Sequence, residues 1–517
     1  MRRRDISAAL FVTAAGSALT TQQAEAQTCA APCYARTAAE VAAGVTPTDT
    51  SYPPLYVDRY GTNTTPGTTP MAAAFQSAIK VAKVGGGTIR YGATQPYLLD
   101  APLDLTFPVG GTNLSFAIVG EGQVLANTNT PPERPSLIAK HTGHVFDTTG
   151  NLGIRFENMS ITTDTVTYPQ TCFLRARNSD GRSRSDRMTN VYVFGYFSQT
   201  VDYNYGSEDD MIVGCQFYNA APVANTSVLD ITGHNIRGLT STFTTISTGL
   251  QSCIDHKIFG GEFANFAGTT TSDVVRLDDV RFIKFYGPWM DSSTQSGSSS
   301  GRALVYIDGT NGAVNGLMLS GVLGEASINP ARYGVLFSNH PRVYGPMLVE
   351  GCFFPNASNT IGGGTGASLL GLSWINSTNS SQGGNINFAG TMQGCQFDAT
   401  SSTVVAGTLS GDNGTWNINQ LVQMNGESSL GLRDYSQASG SQWIKLRNAS
   451  TSFVVSFCDD LGNPTRNSLQ VTKTGFGFNG AAAIAKPTVT GSKAGNAALA
   501  SLVTALAQYG LITDSTT

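Results

Sequence analysis

Between residues 205 and 289 the chain repeats itself: 210–217 reads DMIVGCQF, 234–241 HNIRGLTS, 256–263 HKIFGGEF and 279–286 DVRFIKFY. The starts fall 24, 22 and 23 residues apart, and each segment opens on a polar residue before alternating apolar positions. The first three then meet a Gly four residues on. A period in the low twenties leaves room for short strands and turns and none for a helix, which is the pattern of a parallel β-solenoid. The tetrapeptide GCxF of 214–217 returns at 351–354 and 394–397. One all-β parallel β-helix is therefore expected over 57–404.

Composition agrees with that reading. The 517 residues include 58 Gly and only 13% charged side chains, as short strands joined by tight turns require, since Gly tolerates positive φ. A solenoid lengthens by adding coils, so the length is compatible with one long core. The net charge of −4 is not gathered into a basic face, which argues against a nucleic-acid partner. No apolar run approaches the roughly 18 residues of a membrane span. Cys215, Cys352 and Cys395 share one place in the repeat and read as small residues stacked inside the coils. Cys29 and Cys33 suit a local disulfide; without a neighbouring His or further Cys they are poor evidence for a metal site. No P-loop, GxSxG or HExxH motif is present, and no cofactor is expected.

Taken in order, residues 1–27 have a basic start, a weakly apolar middle and the A-x-A pattern Ala24-Glu25-Ala26, so they read as an export signal or an N-terminal arm. Arg3-Arg4 is similar to a twin-arginine signal without its usual neighbours. Residues 28–56 lack apolar period and are expected to be a linker or attachment arm. Val57 to Gly61 reads as a short strand. Thr69 and Pro70 mark the start of a helix, N-cap and first turn. Ala74, Phe75, Ala78, Ile79 and Ala82 form its apolar face, Gly85 to Gly87 its end, and Thr88 to Tyr91 the next strand.

This order, with AIKVAKVGGGTIRYGATQPYLL over 78–99, resembles the N-terminal cap of the pectate-lyase-like β-helix family that includes phage tailspikes. The resemblance implies a right-handed single-stranded parallel β-helix whose open end is plugged by the helix. The acidic residues common in that family's loop are missing between Thr62 and Pro70, so no cation is expected there. Beyond about 405 the strands are more widely spaced, at 416–419, 443–446, 453–457 and 469–472, and a small C-terminal β domain is expected over 405–517. It ends in a helix capped by Asn496 with Leu499, Leu502, Val503 and Leu506 on one stripe and Gly510 at its end. The string KPTVTGSKAGNAALASLVTALAQYGLITDSTT over 486–517 resembles the C-terminal ends of phage tail-fibre and tailspike proteins, which implies a trimerisation element.

Cleavage of a polysaccharide needs two carboxylates, or a carboxylate and a base, and coils stacked about 4.8 Å apart bring such groups together. The repeat predicts a ladder of Asp210, His234, His256 and Asp279, flanked by Glu208, Asp209, Asp255 and Asp278. Asp209, Asp210, Asp255, Asp278 and Asp279 are the candidate catalytic residues; Glu208, His234, His256, Tyr205, Tyr286 and Trp289 are candidates for substrate binding. The competing reading is that each polar residue only bonds the turn backbone before its strand. The polar inserts 178–187 and 291–302 offer alternative sites. Three functions suit these features: a homotrimeric tailspike of a virion tail, joined to tail proteins by its N-terminal arm, that binds bacterial surface polysaccharide with or without depolymerising it; an exported polysaccharide lyase or glycoside hydrolase; or a non-enzymatic β-helix adhesin. Fold alone does not choose among them, nor between enzyme and binder.

Overall fold

The computed structural model describes residues 33–92, 95–107, 114–121, 136–176, 184–204, 206–221, 225–232, 252–266, 271–292, 302–310, 312–325, 333–341, 343–354, 359–364, 366–375, 385–388, 391–393, 395–398, 403–404 and 408–409. Towards the C-terminus it describes 428–433, 443–449, 452–458, 464–473, 475–478, 488–492, 494–508 and 511–516. The chain divides into two units, Met1–Asn413 and Gly414–Thr517, against the expected division near 405.

The first unit is a parallel β-helix. Ile212 pairs with Ile258, Ile258 with Phe285, Phe285 with Leu319, Leu319 with Val349 and Val349 with Trp374, every pair parallel. All six side chains are buried in one core. At about 1.5–3 kcal/mol for each fully buried side chain, this inward row is a main source of stability. Cys215 and Cys352 are buried as free thiols in the same core, with Cys395 packed against it. The register also corrects the repeat. Met211 lies opposite Lys257, so Asp210 and His256 sit on adjacent coils, and His234 lies outside the described residues.

In the middle of the unit each coil carries two short strands, such as Met211–Val213 and Gln216–Asn219, within a 17-stranded sheet, then a strand of a second, 11-stranded sheet, such as Ser227–Thr232. The Gly of the repeat forms the corner between the first two. Gly214, Gly260, Gly287, Gly321 and Gly351 all have φ between 58° and 67°, and the N–H of each of the first four donates to a carbonyl of the next coil. A Cβ on Gly214 would meet nothing within 4 Å, so backbone conformation alone selects Gly there. Asn158 and Asn190 hold the same corner in earlier coils, with φ of 55° and 57° and a 2.8 Å bond between their side chains; Asn is the residue that best tolerates this region after Gly.

The N-terminal helix runs Ala72–Gly85 and buries Ala74, Phe75, Ala78, Ile79 and Ala82, the expected face, against Tyr91 and Tyr97 of the first coil. It starts two residues later than Pro70 because Met71 N–H donates to the Leu98 carbonyl at 2.9 Å, holding this stretch to a strand. Val57–Arg59 is a 3-10 turn in place of the expected strand.

Residues 33–56 are not a linker. A short helix, Ala38–Ala42, is capped by Thr37, and Glu40 accepts from Arg59 Nε at 2.6 Å and from Tyr60 OH at 2.9 Å with both charged side chains fully buried. Val45 joins the main core. The expectation failed because this segment is held mainly by the buried Glu40–Arg59 pair and by Arg59 bonds to the Tyr34, Ala35 and Tyr52 carbonyls, which leave no apolar period to read. Cys33 is disulfide-bonded.

The second unit contains a five-stranded antiparallel sheet, from Ser428–Arg433 to Phe476–Phe478, and a parallel pair, Thr488–Gly491 with Thr513–Thr516. Between the paired strands lies the Ala497–Gln508 helix. Asn496 Oδ1 accepts from the N–H groups of Ala498 and Leu499, each at 3.1 Å, the expected cap. The expected strand at 416–419 lies outside the described residues. No described helix is long and apolar enough to cross a membrane.

Candidate active site

The predicted ladder separates into different environments. Asp209 and Asp255 stand at a corner with φ of 55° and 59°, bridged by Lys257 at 3.0 and 2.9 Å, and Asp255 also meets Lys284 at 3.2 Å. Glu208 pairs with Arg184 at 2.6 Å. Asp279, also at positive φ, accepts from Ser252 Oγ at 2.7 Å. Asp278 ends a strand of the second sheet, where it accepts from Gly312 N–H at 3.2 Å and lies 3.9 Å from Arg276. Arg276 also contacts Asp230 at 3.3 Å and, still closer, Asp308. Asp202, beside Asp230 on the next strand, is pushed far above the usual carboxylate range by burial and then by the Asp230 charge. All of these second-sheet groups are buried.

Asp210 and His256 are inside the solenoid. Ser207 Oγ lies 3.1 Å from His256 Nε2, and His256 Nδ1 lies 3.3 Å from Asp210 Oδ2 without the alignment of a hydrogen bond. The three residues are in the order of a hydrolytic triad, but all are buried. Arg175 reaches Asp186 at 2.8 Å and Asp210 at 3.5 Å, and Tyr203 stacks on the imidazole at 4.8 Å. Burial, against the pull of Arg175 and with the push of Asp186, raises Asp210 to about 8. Burial and then the Arg175 charge lower His256 to about 3. A neutral imidazole that resists protonation is the opposite of what a general base requires. Asp186 and Asp210 instead accept backbone N–H groups of Ile154 and Asp186 at 2.7 and 2.8 Å, stitching one coil to the next.

A second acidic pair, Glu262 half-buried and Asp291 buried, occurs on the outward face of the strands that follow the Gly corner. Phe217, Phe263 and Met290 point inward and are fully buried. Strand alternation therefore turns Gln216, Glu262 and Trp289 outward in one column, and Tyr218, Ala264 and Asp291 outward in the next. Tyr218 donates its hydroxyl to Glu262; burial, then this bond and the Glu262 charge, raise the phenol well above its ordinary range, so it remains a donor. Tyr192 packs on Tyr218 at 5.4 Å and Phe266 stacks on it at 6.0 Å. Gln216 Oε1 is buried without a hydrogen bond in the same column as Glu262. Trp289, the neighbour of Glu262 on the next coil, is 39% exposed. Asp291 lies one coil on and two residues along from Glu262, a diagonal with backbones about 7–8 Å apart.

Of the predicted residues, Trp289 alone belongs to this face. Tyr286 stacks on Phe259 at 4.9 Å on the other side of the Gly corner, and Tyr205 lies outside the described residues. Glu262, Asp291, Tyr192 and Tyr218 were missed. The signal was available in the third position of GCQF, GGEF and GPWM, at Gln216, Glu262 and Trp289, which must share a column once the Gly corners are aligned.

No family model and no curated protein matches the chain. Among solved structures it is similar to ORF18 of Geobacillus virus E2, with 12% identity, a TM-score of 0.38, and coverage of 84% of this chain and 80% of that one. It is also similar to tailspike protein 2 from Escherichia coli O157:H7 bacteriophage CAB120, with 11% identity, a TM-score of 0.43, and coverage of 78% and 53%. For an alginate lyase from Paenibacillus sp. str. FPU-7 the figures are 10%, 0.27, 64% and 94%. Likenesses this distant do not assign a chemistry, which has to come from the chain's own residues.

Proposed function

We propose that this chain binds bacterial surface polysaccharide and hydrolyses it on the face that carries Glu262 and Asp291, as a tailspike-type protein of a virion tail. The observation that carries the reading is a half-buried carboxylate, Glu262, diagonal to the buried Asp291 and flanked by the exposed Trp289 and the buried Tyr192–Tyr218 wall. A tryptophan face beside two acids suits a sugar ring, which is apolar on its faces and polar at its edge. Glu262, held by the Tyr218 hydroxyl and open at its Trp289 edge, takes a proton from water. Asp291, almost wholly buried, supplies a proton to the departing glycosidic oxygen. Water adds across the bond, and before the next turnover Glu262 gives up its proton to solvent and Asp291 takes one back.

Diagonal positions with backbones about 7–8 Å apart are compatible with the carboxyl separation of inverting hydrolysis, about 6.5–9.5 Å. Polysaccharide from the bacterial surface is to be digested and the products followed by NMR. New reducing ends of inverted configuration are the expected outcome; unsaturated products would replace hydrolysis by elimination, and intact polymer would leave a binder.

Self-association is part of the proposal. Leu499 and Leu502 on the C-terminal helix are 43% and 55% exposed while Val503 is buried, so the expected stripe is only partly covered within the chain, and a short helix of this kind gains stability by packing on partners. The resemblance of the 486–517 segment to tail-fibre ends gives three copies. Light scattering of the full chain should return a trimer mass, and a monomer at micromolar concentration would remove this part.

A further inference from the structure

On the outward face of the second sheet lies a cavity of about 320 Å³, lined by Arg302, Tyr306, Tyr333, Leu336, Asn339 and the Gly363–Gly364 backbone among others. Tyr306, Leu336 and Gly362 are successive members of one column on the strands Ala303–Ile307, Tyr333–Phe337 and Asn359–Gly363. Their neighbours Val305, Val335 and Ile361 point into the core. Arg302 lies flat over the Tyr306 ring, its guanidinium carbon 3.4 Å from the centroid. It spends Nε, at 2.9 Å, and Nη2 on the fully buried carboxylate of Asp273. Its Nη1 makes no hydrogen bond among the described residues. A Cβ added to Gly362 would lie 2.3 Å from Tyr333 Cε1, so the tyrosine ring rests directly on the glycine backbone. The Gly362-Gly363-Gly364 run, which carries no phosphate-binding signature, is explained here as the floor of a cleft.

We infer that this cleft is a second glycan-binding site, separate from the Glu262–Asp291 pair, and that it takes an uncharged pyranose unit. The volume is at the lower end of small-ligand pockets, about 300–1,000 Å³, and suits one or two sugar rings. The walls combine aromatic faces with edge donors, the pattern that amphipathic rings match. The Arg302 charge is already answered by Asp273, so an acidic unit would find a donor without net attraction, while a neutral hydroxyl loses nothing by meeting it. One face of Tyr306 is covered by Arg302, which leaves the platform poorly suited to sandwich a flat base. Binding here does not depend on the catalytic reading, because a cleft of this kind holds sugar whether or not the other face cleaves it.

The test uses the full chain and saturation-transfer NMR with glucose, galactose, N-acetylglucosamine, glucuronate and adenosine as probes. At least one of the three neutral sugars is expected to bind with a millimolar Kd. Its affinity should fall about tenfold or more, the loss of roughly 1.4 kcal/mol, in both Leu336→Trp, which fills the cleft, and Tyr333→Ala, which removes a wall, and stay unchanged in Glu262→Gln. The inference is overturned if no neutral sugar binds, if glucuronate or adenosine is preferred, if binding survives both cleft variants, or if it disappears in Glu262→Gln.

Discussion

Two acidic clusters lie within a few coils of each other and use the same groups to opposite ends. Asp186 and Asp210 face the interior, where Arg175, His256 and coil-to-coil N–H groups surround them. Glu262 and Asp291 face outward beside an exposed tryptophan. The first cluster has the residues and order of a catalytic triad and no route for a substrate; the second has no recognisable motif and an open edge. In a solenoid, whether a carboxylate is structural or chemical is decided by one step along the strand, because alternate residues point to opposite sides of the wall.

The largest expected effect separates the two clusters by function. Glu262→Gln and Asp291→Asn should each lower polysaccharide cleavage by about 10²–10⁴-fold, the usual contribution of a general acid or base, with the melting temperature nearly unchanged. Asp210→Asn should leave cleavage in place. If instead Asp210→Asn abolishes cleavage at full stability, the assignment of the two clusters is reversed.

Next comes the stability of the interior. Arg175→Met leaves Asp186 and Asp210 buried without their cation, and removing one partner of a buried pair costs about 3–5 kcal/mol. Urea unfolding should show that loss in the midpoint at constant slope; a change below about 1 kcal/mol, the scale of a surface pair, would mean that the cluster contributes little.

A smaller effect appears with pH. Asp210 is raised in the folded chain to about 8 from an ordinary value of 3.8, so the folded state binds a proton that the unfolded state has released. Its contribution is complete below 3.8 and is lost as pH rises through about 8. His256, lowered from 6.5 to about 3, acts oppositely: its contribution is present above 6.5 and lost as pH falls towards 3. Between 6.5 and 8 Asp210 acts without His256 opposing it, alongside Asp202, whose carboxyl burial also raises, and stability should decline with rising pH there. Asp210→Asn should flatten that decline, while Glu262→Gln should not; equal slopes in the wild type and Asp210→Asn would show that the carboxyl is ionised throughout.

The smallest effect probes the corner that divides inward from outward columns. Gly214→Ala should cost about 1–2 kcal/mol, the strain of a left-handed residue, and Gly214→Asn less, because Asn already holds this corner at 158 and 190. Thermal unfolding that ranks Ala at or above Asn would point to a steric cause in place of a conformational one, although a Cβ there meets nothing within 4 Å.

The sequence by itself determined the class of fold. A short repeat of alternating apolar residues and glycine corners has one solution that buries the apolar side, and Ile212 and Ile258, at apolar positions of that repeat, are fully buried. The capping helix, its face and the Asn496 cap were legible for the same local reasons. The step from one coil to the next was not. Met211 pairs with Lys257, skipping the resemblance at 234, because inserts lengthen a coil without altering its strands. The register keeps Asp210 and His256 in one column but sets Ile283 there on the next coil in place of Asp279. Residues 33–56 were misread because the buried Glu40–Arg59 pair and the Arg59 bonds to backbone carbonyls carry no periodic signal. Tertiary structure alone decided which carboxylates meet, since the pairing of Glu262 with Asp291 arises from hydrogen bonds between coils and leaves no mark within either segment.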